Sequence, residues 1–226
     1  MSDIRSKVIL LGDASVGKTS IILRYFEGKF SDRIQSTIGT SFFTKTFPDE
    51  DSPSRVLQHR MNVWDTCGQE RFRAIASVYY KDANVVIFVI EADNVRSLRQ
   101  VESYLEEVRE NISTKEFFVL CVNKIDMLPE YRKEQPITED VKKSCSFFAE
   151  IERFAKTNKF EQVFWTSAKD DVNVRETFKF IDDAVVSKKI AFDERPKVQK
   201  KIFVESIRQG GSSGSNSENR QGGCCK

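Results

Sequence analysis

Short apolar runs alternate with longer amphipathic stretches from Lys7 to Lys189, the pattern that parallel βαβ units produce. The runs predict strands over 7–11, 41–47, 56–64, 85–90, 117–122 and 162–165. Apolar residues recurring every three or four positions predict helices over 17–27, 71–80, 95–111, 139–157 and 174–189. The runs at 85–90 and 117–122 are almost wholly apolar, as strands covered by helices on both faces must be, so both are expected at the centre of the sheet. The polar stretch 48–54, with its prolines, acidic residues and serines, reads as the exposed tip of a hairpin joining the second and third strands. The expected fold class is α/β, with a mostly parallel six-stranded sheet, one antiparallel strand and helices on both faces.

Composition narrows the picture. A chain of 226 residues with 39% hydrophobic and 31% charged residues has the make-up of a globular protein with one core. The formal net charge of +2 is too small for a nucleic-acid-binding surface, which needs a strongly basic patch. The first residues carry charge at Asp3, Arg5 and Lys7 and lack the apolar segment of a secretory signal. No apolar run approaches the roughly 20 residues that span a bilayer. The cysteines, Cys67, Cys121, Cys145, Cys224 and Cys225, are odd in number and form no C-x-x-C pair, which fits reduced thiols in the cytosol. His59, the only histidine, reads as a solvated residue of the hairpin strand with no chemistry assigned. Near Ser187 the composition turns to Gly, Ser and basic residues, too poor in apolar side chains to order itself. The chain is therefore divided into a domain over 1–190 and a flexible tail over 191–226.

The candidate chemistry starts at Gly12, Asp13, Ala14, Ser15, Val16, Gly17, Lys18 and Thr19. These match G-x-x-x-x-G-K-[ST] between a predicted strand and a predicted helix, the setting in which that motif holds phosphate. Backbone N–H groups along the loop from Ala14 to Ser20 and the helix N-terminus would cradle the β-phosphate. Lys18 would reach the β- and γ-phosphates, and the Thr19 hydroxyl would ligate Mg²⁺. Asp65 stands at the end of the third strand, at the sheet edge where open α/β folds bind ligands, and suits an indirect hold on the metal. Gly68 can offer a backbone N–H to the γ-phosphate, and Gln69 can orient a water for in-line attack.

Two further motifs follow later strands: Asn123, Lys124, Ile125 and Asp126, then Ser167, Ala168 and Lys169. A carboxylate at Asp126 can accept from guanine N1–H and the 2-amino group, whereas adenine has an acceptor at N1 and no such amino group. A site built for those bonds discriminates by about 10⁴–10⁵, so the expected ligands are GTP and GDP.

With these motifs in order, the sequence resembles a Ras-superfamily small GTPase and is most similar to the Rab branch. The features that carry the Rab likeness are Thr37-Ile-Gly-Thr-Ser-Phe42, Trp64-Asp-Thr-Cys-Gly-Gln69 with the Glu-Arg-Phe-Arg-Ala-Ile75 that follows, Tyr79 to Ala83, and two cysteines near the end. The resemblance implies that Phe30 packs on the guanine ring, that Thr37 ligates Mg²⁺ when the γ-phosphate is present, and that the backbone of Ala168 meets the guanine carbonyl. Catalysis would rest on Gln69, Lys18 and Thr37; the metal would be held by Thr19, Thr37 and Asp65. It further implies a monomeric switch in membrane traffic, served by an exchange factor, an activating protein and effectors. Phe42, Trp64, Phe72 and Tyr79 would form the surface effectors read. Ala14 stands where members often carry glycine or serine, and hydrolysis is expected to be slower for it. A module that holds GTP with negligible hydrolysis stays open as an alternative, as does a P-loop ATPase or nucleotide kinase.

Cys224-Cys225-Lys226 is not a C-a-a-X box. The resemblance implies double prenylation of Cys224 and Cys225, with the prenylation and membrane-extraction machinery as partners and the cytoplasmic face of an intracellular membrane as the location. Two lipid chains make anchoring stable where one does not. From Ser187 onward nine basic residues face four acidic ones, and that surplus would add attraction to an anionic leaflet.

Overall fold

The structure, a computed structural model, describes residues 4–34, 36–37, 39–48, 58–68, 79–112 and 117–187. Gln69, Phe72, most of the hairpin tip, most of the helix expected over 71–80, and the tail with Cys224 and Cys225 lie outside these residues.

Strands β1 (Ile4–Leu11), β2 (Thr40–Phe47), β3 (His59–Thr66), β4 (Val85–Glu91), β5 (Phe118–Asn123) and β6 (Gln162–Trp165) form one sheet in the order β2-β3-β1-β4-β5-β6. β2 runs antiparallel to β3, from Thr40 opposite Thr66 to Phe47 opposite His59; every other pair is parallel. The expected fold class is the one found. The centre differs from expectation: β1 and β4 occupy it, and β5 lies one strand in from the edge, flanked by the short β6. An apolar run reports cover on both faces of a strand, which β5 has, and carries no information on its rank across the sheet.

Alternation along the strands explains the two layers of core. Val8 and Leu10 of β1, Val85, Ile87 and Val89 of β4, and Val119 and Cys121 of β5 pack with α1 (Lys18–Glu27) and the last helix described, Val174–Val186. Ile9 and Leu11, Val86, Phe88 and Ile90, and Phe118, Leu120 and Val122 pack on the other face against α2 (Val95–Asn111) and the segments that follow it.

The helix expected over 139–157 is two helices, α3 (Glu139–Lys143) and α4 (Phe148–Thr157). Thr138 caps α3, accepting from the Val141 N–H. The break lies at 144–147, where the Ser144 hydroxyl donates back to the Val141 carbonyl and the Ser146 N–H donates to Asp93 Oδ1. Serine offers the backbone such local alternatives to helix, and the break turns Cys145 and Phe147 into the core. With α3 and α4 assigned, Val174–Val186 is α5.

His59 is not solvated. It is fully buried, with Nδ1 2.7 Å from Asp182 Oδ1 on α5 and Nε2 2.7 Å from Ser6 Oγ on β1, and its ring stacks on Phe47. The period of two along β3 explains the placement, since His59 shares a face with the buried Met61 and Val63. The order Ser–His–Asp imitates a hydrolase relay, but all three side chains are sealed from solvent, so no substrate reaches them and the network joins β1, β3 and α5. Asp182→Ala, which strips the imidazole of that partner, is expected to cost about 3 kcal/mol, measured by urea unfolding.

Candidate functional site

β1 has β3 on one side and β4 on the other, the chain reaching the first by way of α1 and the edge strand β2 and then crossing to the second, so the end of β1 lies at a switch point, where open α/β sheets bind ligands. The loop after β1 turns on Gly12 and Gly17, the latter at φ 97°, and has little room. A side chain at Gly12 would run into the Val89 carbonyl, and one at Gly17 into the Asn123 amide. Lys18, 5% exposed, sends Nζ over this loop, donating to the carbonyls of Gly12 (2.9 Å) and Asp13 (2.8 Å). Burial lowers its pKa to about 8, against the opposing pull of Asp65; an anion nearby would restore the charge.

Beside Lys18, Thr19 Oγ1 donates to Asp65 Oδ2 at 2.7 Å and lies 2.8 Å from Thr37 Oγ1. Asp65 is fully buried, and its Oδ1 has no hydrogen-bond partner among the described residues. Burial raises its pKa, while the hydroxyls and Lys18 pull it down. An orphaned carboxylate oxygen beside two hydroxyls is a hard-oxygen donor set, and Mg²⁺ suits it, because that ion uses one or two carboxylates and takes its other ligands from water and phosphate. The described residues hold no cluster of three His, Cys, Asp or Glu that could bind a metal, and a cation held by this set would take its remaining oxygens from water or a ligand.

The other end is built from the loops after β5 and β6. Asn123 is buried and ties two loops together: Nδ2 donates to the Val16 carbonyl at 2.9 Å, and Oδ1 accepts from Thr166 Oγ1 and the Ala168 N–H. It thereby fastens the loop after β1 to the loop after β6. Lys124 adopts a left-handed backbone with φ 66°, and its ammonium pairs with Glu91 at 2.8 Å. Asp126 Oδ1 accepts from Ser167 Oγ at 2.6 Å. Arg24 of α1 donates to the carbonyls of Ala168 and Lys169, and its guanidinium lies over the Phe30 ring.

These groups surround one cavity of about 520 Å³, within the range of small-ligand sites. Of the expected residues, Ala14, Ser15, Gly17, Lys18, Thr19, Ser20, Phe30, Thr37, Gly68, Asn123, Lys124, Asp126, Ala168 and Lys169 line it. Gly12, Val16, Asp65 and Ser167 are buried behind the lining, in reach through backbone or through a bonded neighbour. Arg24 and Glu91 were not expected from sequence. The signal for Glu91 was its place at the end of an otherwise apolar strand; Arg24 had none, for its partners are backbone carbonyls far along the chain.

The Ras family model matches residues 7–187. The chain is 33% identical over 192 residues to GTP-binding protein ypt5 of Schizosaccharomyces pombe, covering 85% of this chain and 81% of that one. It is 32% identical to Ras-related protein Rab-21 of Mus musculus over 97% of this chain and 90% of the relative. A shorter match, 43% identical over 122 residues, joins it to Ras-related protein RabJ of Dictyostelium discoideum. The length of these matches and the convergence of the phosphate and base motifs on one cavity agree: the chain belongs to the Ras family, as a small GTPase of the Rab type.

Proposed function

We propose that the cavity holds Mg·GTP or Mg·GDP with its phosphates over 12–20 and its base against Asp126 and Ala168. The observation that carries this reading is the arrangement of Lys18 and the Thr19–Thr37–Asp65 cluster at one end of the cavity that has Phe30, Asp126 and Ala168 at the other. Lys18 neutralises the β- and γ-phosphates, its ammonium leaving the Gly12 and Asp13 carbonyls to do so. Thr19 and Thr37 present hydroxyl oxygens, and Asp65 acts through them or through water. When bound, magnesium supplies charge neutralisation at the β- and γ-phosphate oxygens. Gln69 orients the attacking water, and the chain supplies the transition state with positioning and charge rather than a covalent intermediate. No arginine finger is assigned, so turnover is slow and depends on a partner, whose arginine in such enzymes is worth about 10³–10⁵ in rate.

Thr37 and the N–H of Gly68 both reach toward the γ-phosphate, so its loss releases two segments at once and the GTP and GDP forms present different surfaces. Phe42, 53% exposed, packs its ring 5.0 Å from Trp64, which in turn lies 5.7 Å from Tyr79. This row of aromatics is the surface we assign to effectors. An exchange factor, an activating protein and the prenylation and extraction machinery complete the set of partners, and the cycle serves intracellular membrane traffic. The GTPase domain over 1–190 is tethered by the tail over 191–226 through lipids on Cys224 and Cys225 to the cytoplasmic face of an intracellular membrane. No helix among the described residues is long and apolar enough to cross a membrane itself.

Single-turnover phosphate release tests the hydrolytic assignment. The wild-type protein should release phosphate slowly, and Gln69→Leu should slow it by about tenfold or more while GTP affinity is unchanged; lost affinity would assign Gln69 to binding instead.

A further inference from the structure

Arg24 does not belong to the phosphate motif or to either base motif, yet it is the side chain that ties α1 to the base loop. It sits half-buried on α1, the helix whose first turn carries Lys18 and Thr19. Each of its three nitrogens donates to a backbone carbonyl: Nε to Ala168 at 2.8 Å, Nη2 to Lys169 at 2.9 Å and Nη1 to Gly28 at 3.0 Å. A planar guanidinium presents these donors in a fixed fork, so it constrains direction as well as distance. Gly28 closes α1 and leads to Phe30, and the guanidinium carbon lies 6.0 Å from the centre of the Phe30 ring. One side chain therefore touches both the loop that carries Ala168 and the Phe30 ring, two parts of the cavity lining.

The base loop has other supports, and they leave a defined task for Arg24. Asn123 Oδ1 takes the Ala168 N–H at a long 3.3 Å, Ser167 reaches Asp126, and Asp170 accepts from the Tyr131 hydroxyl at 2.7 Å. Those bonds hold the loop to β5 and to the segment after it. The bonds from Arg24 to the carbonyls of Ala168 and Lys169 hold it to the helix that grips the phosphates. The long bond from the Ala168 N–H to Asn123 can give way to a ligand acceptor, and the bonds from Arg24 to the carbonyls of Ala168 and Lys169 restrain the backbone that follows that N–H.

We propose that Arg24 is a positioning residue for guanine recognition, presetting the Ala168 N–H and the Phe30 ring and thereby setting nucleotide residence time and base selectivity; this rests on the cavity holding a guanine nucleotide. A purine carbonyl at C6 gains the Ala168 N–H, while an amino group there gains nothing. Losing Arg24 thus weakens GDP more than ADP, since the Phe30 ring serves either purine and the Ala168 N–H only the carbonyl.

The test uses full-length protein with magnesium, fluorescently labelled GDP for release rates, and competition by unlabelled GDP and ADP. Arg24→Ala should speed GDP release about tenfold, the effect of losing charge-assisted hydrogen bonds, and lower the GDP-over-ADP preference by a similar factor. Arg24→Lys, which can serve one carbonyl but not three, should recover part of both. Should Arg24→Ala fail to fold, Arg24→Gln removes the fork with less loss of packing and carries the same comparison. Unchanged release, or equal weakening of GDP and ADP, would overturn the role of Arg24 alone, the second result marking a general support of α1. A wild-type protein that binds no GDP would overturn the reading of the cavity itself.

Discussion

Asp126→Asn is expected to weaken GDP and GTP binding by about 10³-fold or more, and to make xanthosine diphosphate the better ligand. Asp126 lines the cavity with one oxygen engaged by Ser167, which leaves the other to accept from guanine N1–H and the 2-amino group. An amide keeps an oxygen for Ser167 but turns a donor toward the guanine donors. A polar site facing the wrong hydrogen-bonding edge loses affinity by about 10⁴–10⁵, and a structure that relaxes around the amide softens that. Xanthine carries a carbonyl in place of the 2-amino group, so the new donor meets an acceptor. Competition against labelled GDP reads both effects, and unchanged GDP affinity would refute the base assignment.

The second large effect is expected at the phosphate end. Lys18→Ala should reduce affinity for GDP and GTP by about 10²–10⁴-fold, since charge-assisted hydrogen bonds contribute about 1.5–3 kcal/mol each and the ammonium has two phosphates to serve. The nitrogen is buried, aimed over the loop, and held by carbonyls that a ligand oxygen can replace. Guanosine without phosphates separates this from unfolding: its weak binding should be the same in wild type and variant, because Asp126 and Ala168 are untouched. Titration calorimetry with GDP and guanosine provides the comparison, and a parallel loss of guanosine binding would point to collapse of the site.

Much of the fold was legible because helices on both faces leave a strand no polar face to show. The runs at β4 and β5 were found almost to the residue. The order across the sheet was less so, for β5 shares its apolar pattern with the central β4 and differs from it in its neighbours. The break between α3 and α4 escaped because Val141, Cys145 and Phe148 keep a helical spacing of i, i+4, i+7 through it, while its cause, Asp93, is supplied from another loop. His59 escaped because its partners, Ser6 and Asp182, lie on other elements, though its alternation with Met61 and Val63 pointed inward.

The site was legible to the extent that it is written in consecutive residues. The spacing from Gly12 to Thr19 reports a backbone cradle, and such cradles tolerate few alternatives, as the crowding at Gly12 and Gly17 shows. Asp126 carries its chemistry in its side chain and could be read directly. Asn123 was expected beside a ligand and lines the cavity; that its amide also stitches Val16 to Ala168 was not legible, because those partners lie far along the chain. Arg24 reads as one more basic residue on an amphipathic helix until the chain brings the carbonyls of Ala168 and Lys169 to it.

The most direct measurement is the nucleotide that the purified protein carries. Denaturing it in the presence of a chelator and separating the released small molecules by chromatography should yield GDP or GTP in amounts close to equimolar with protein. Release of an adenine nucleotide, or of none from folded protein that also fails to take up added GDP with magnesium, would contradict the assignment of this cavity.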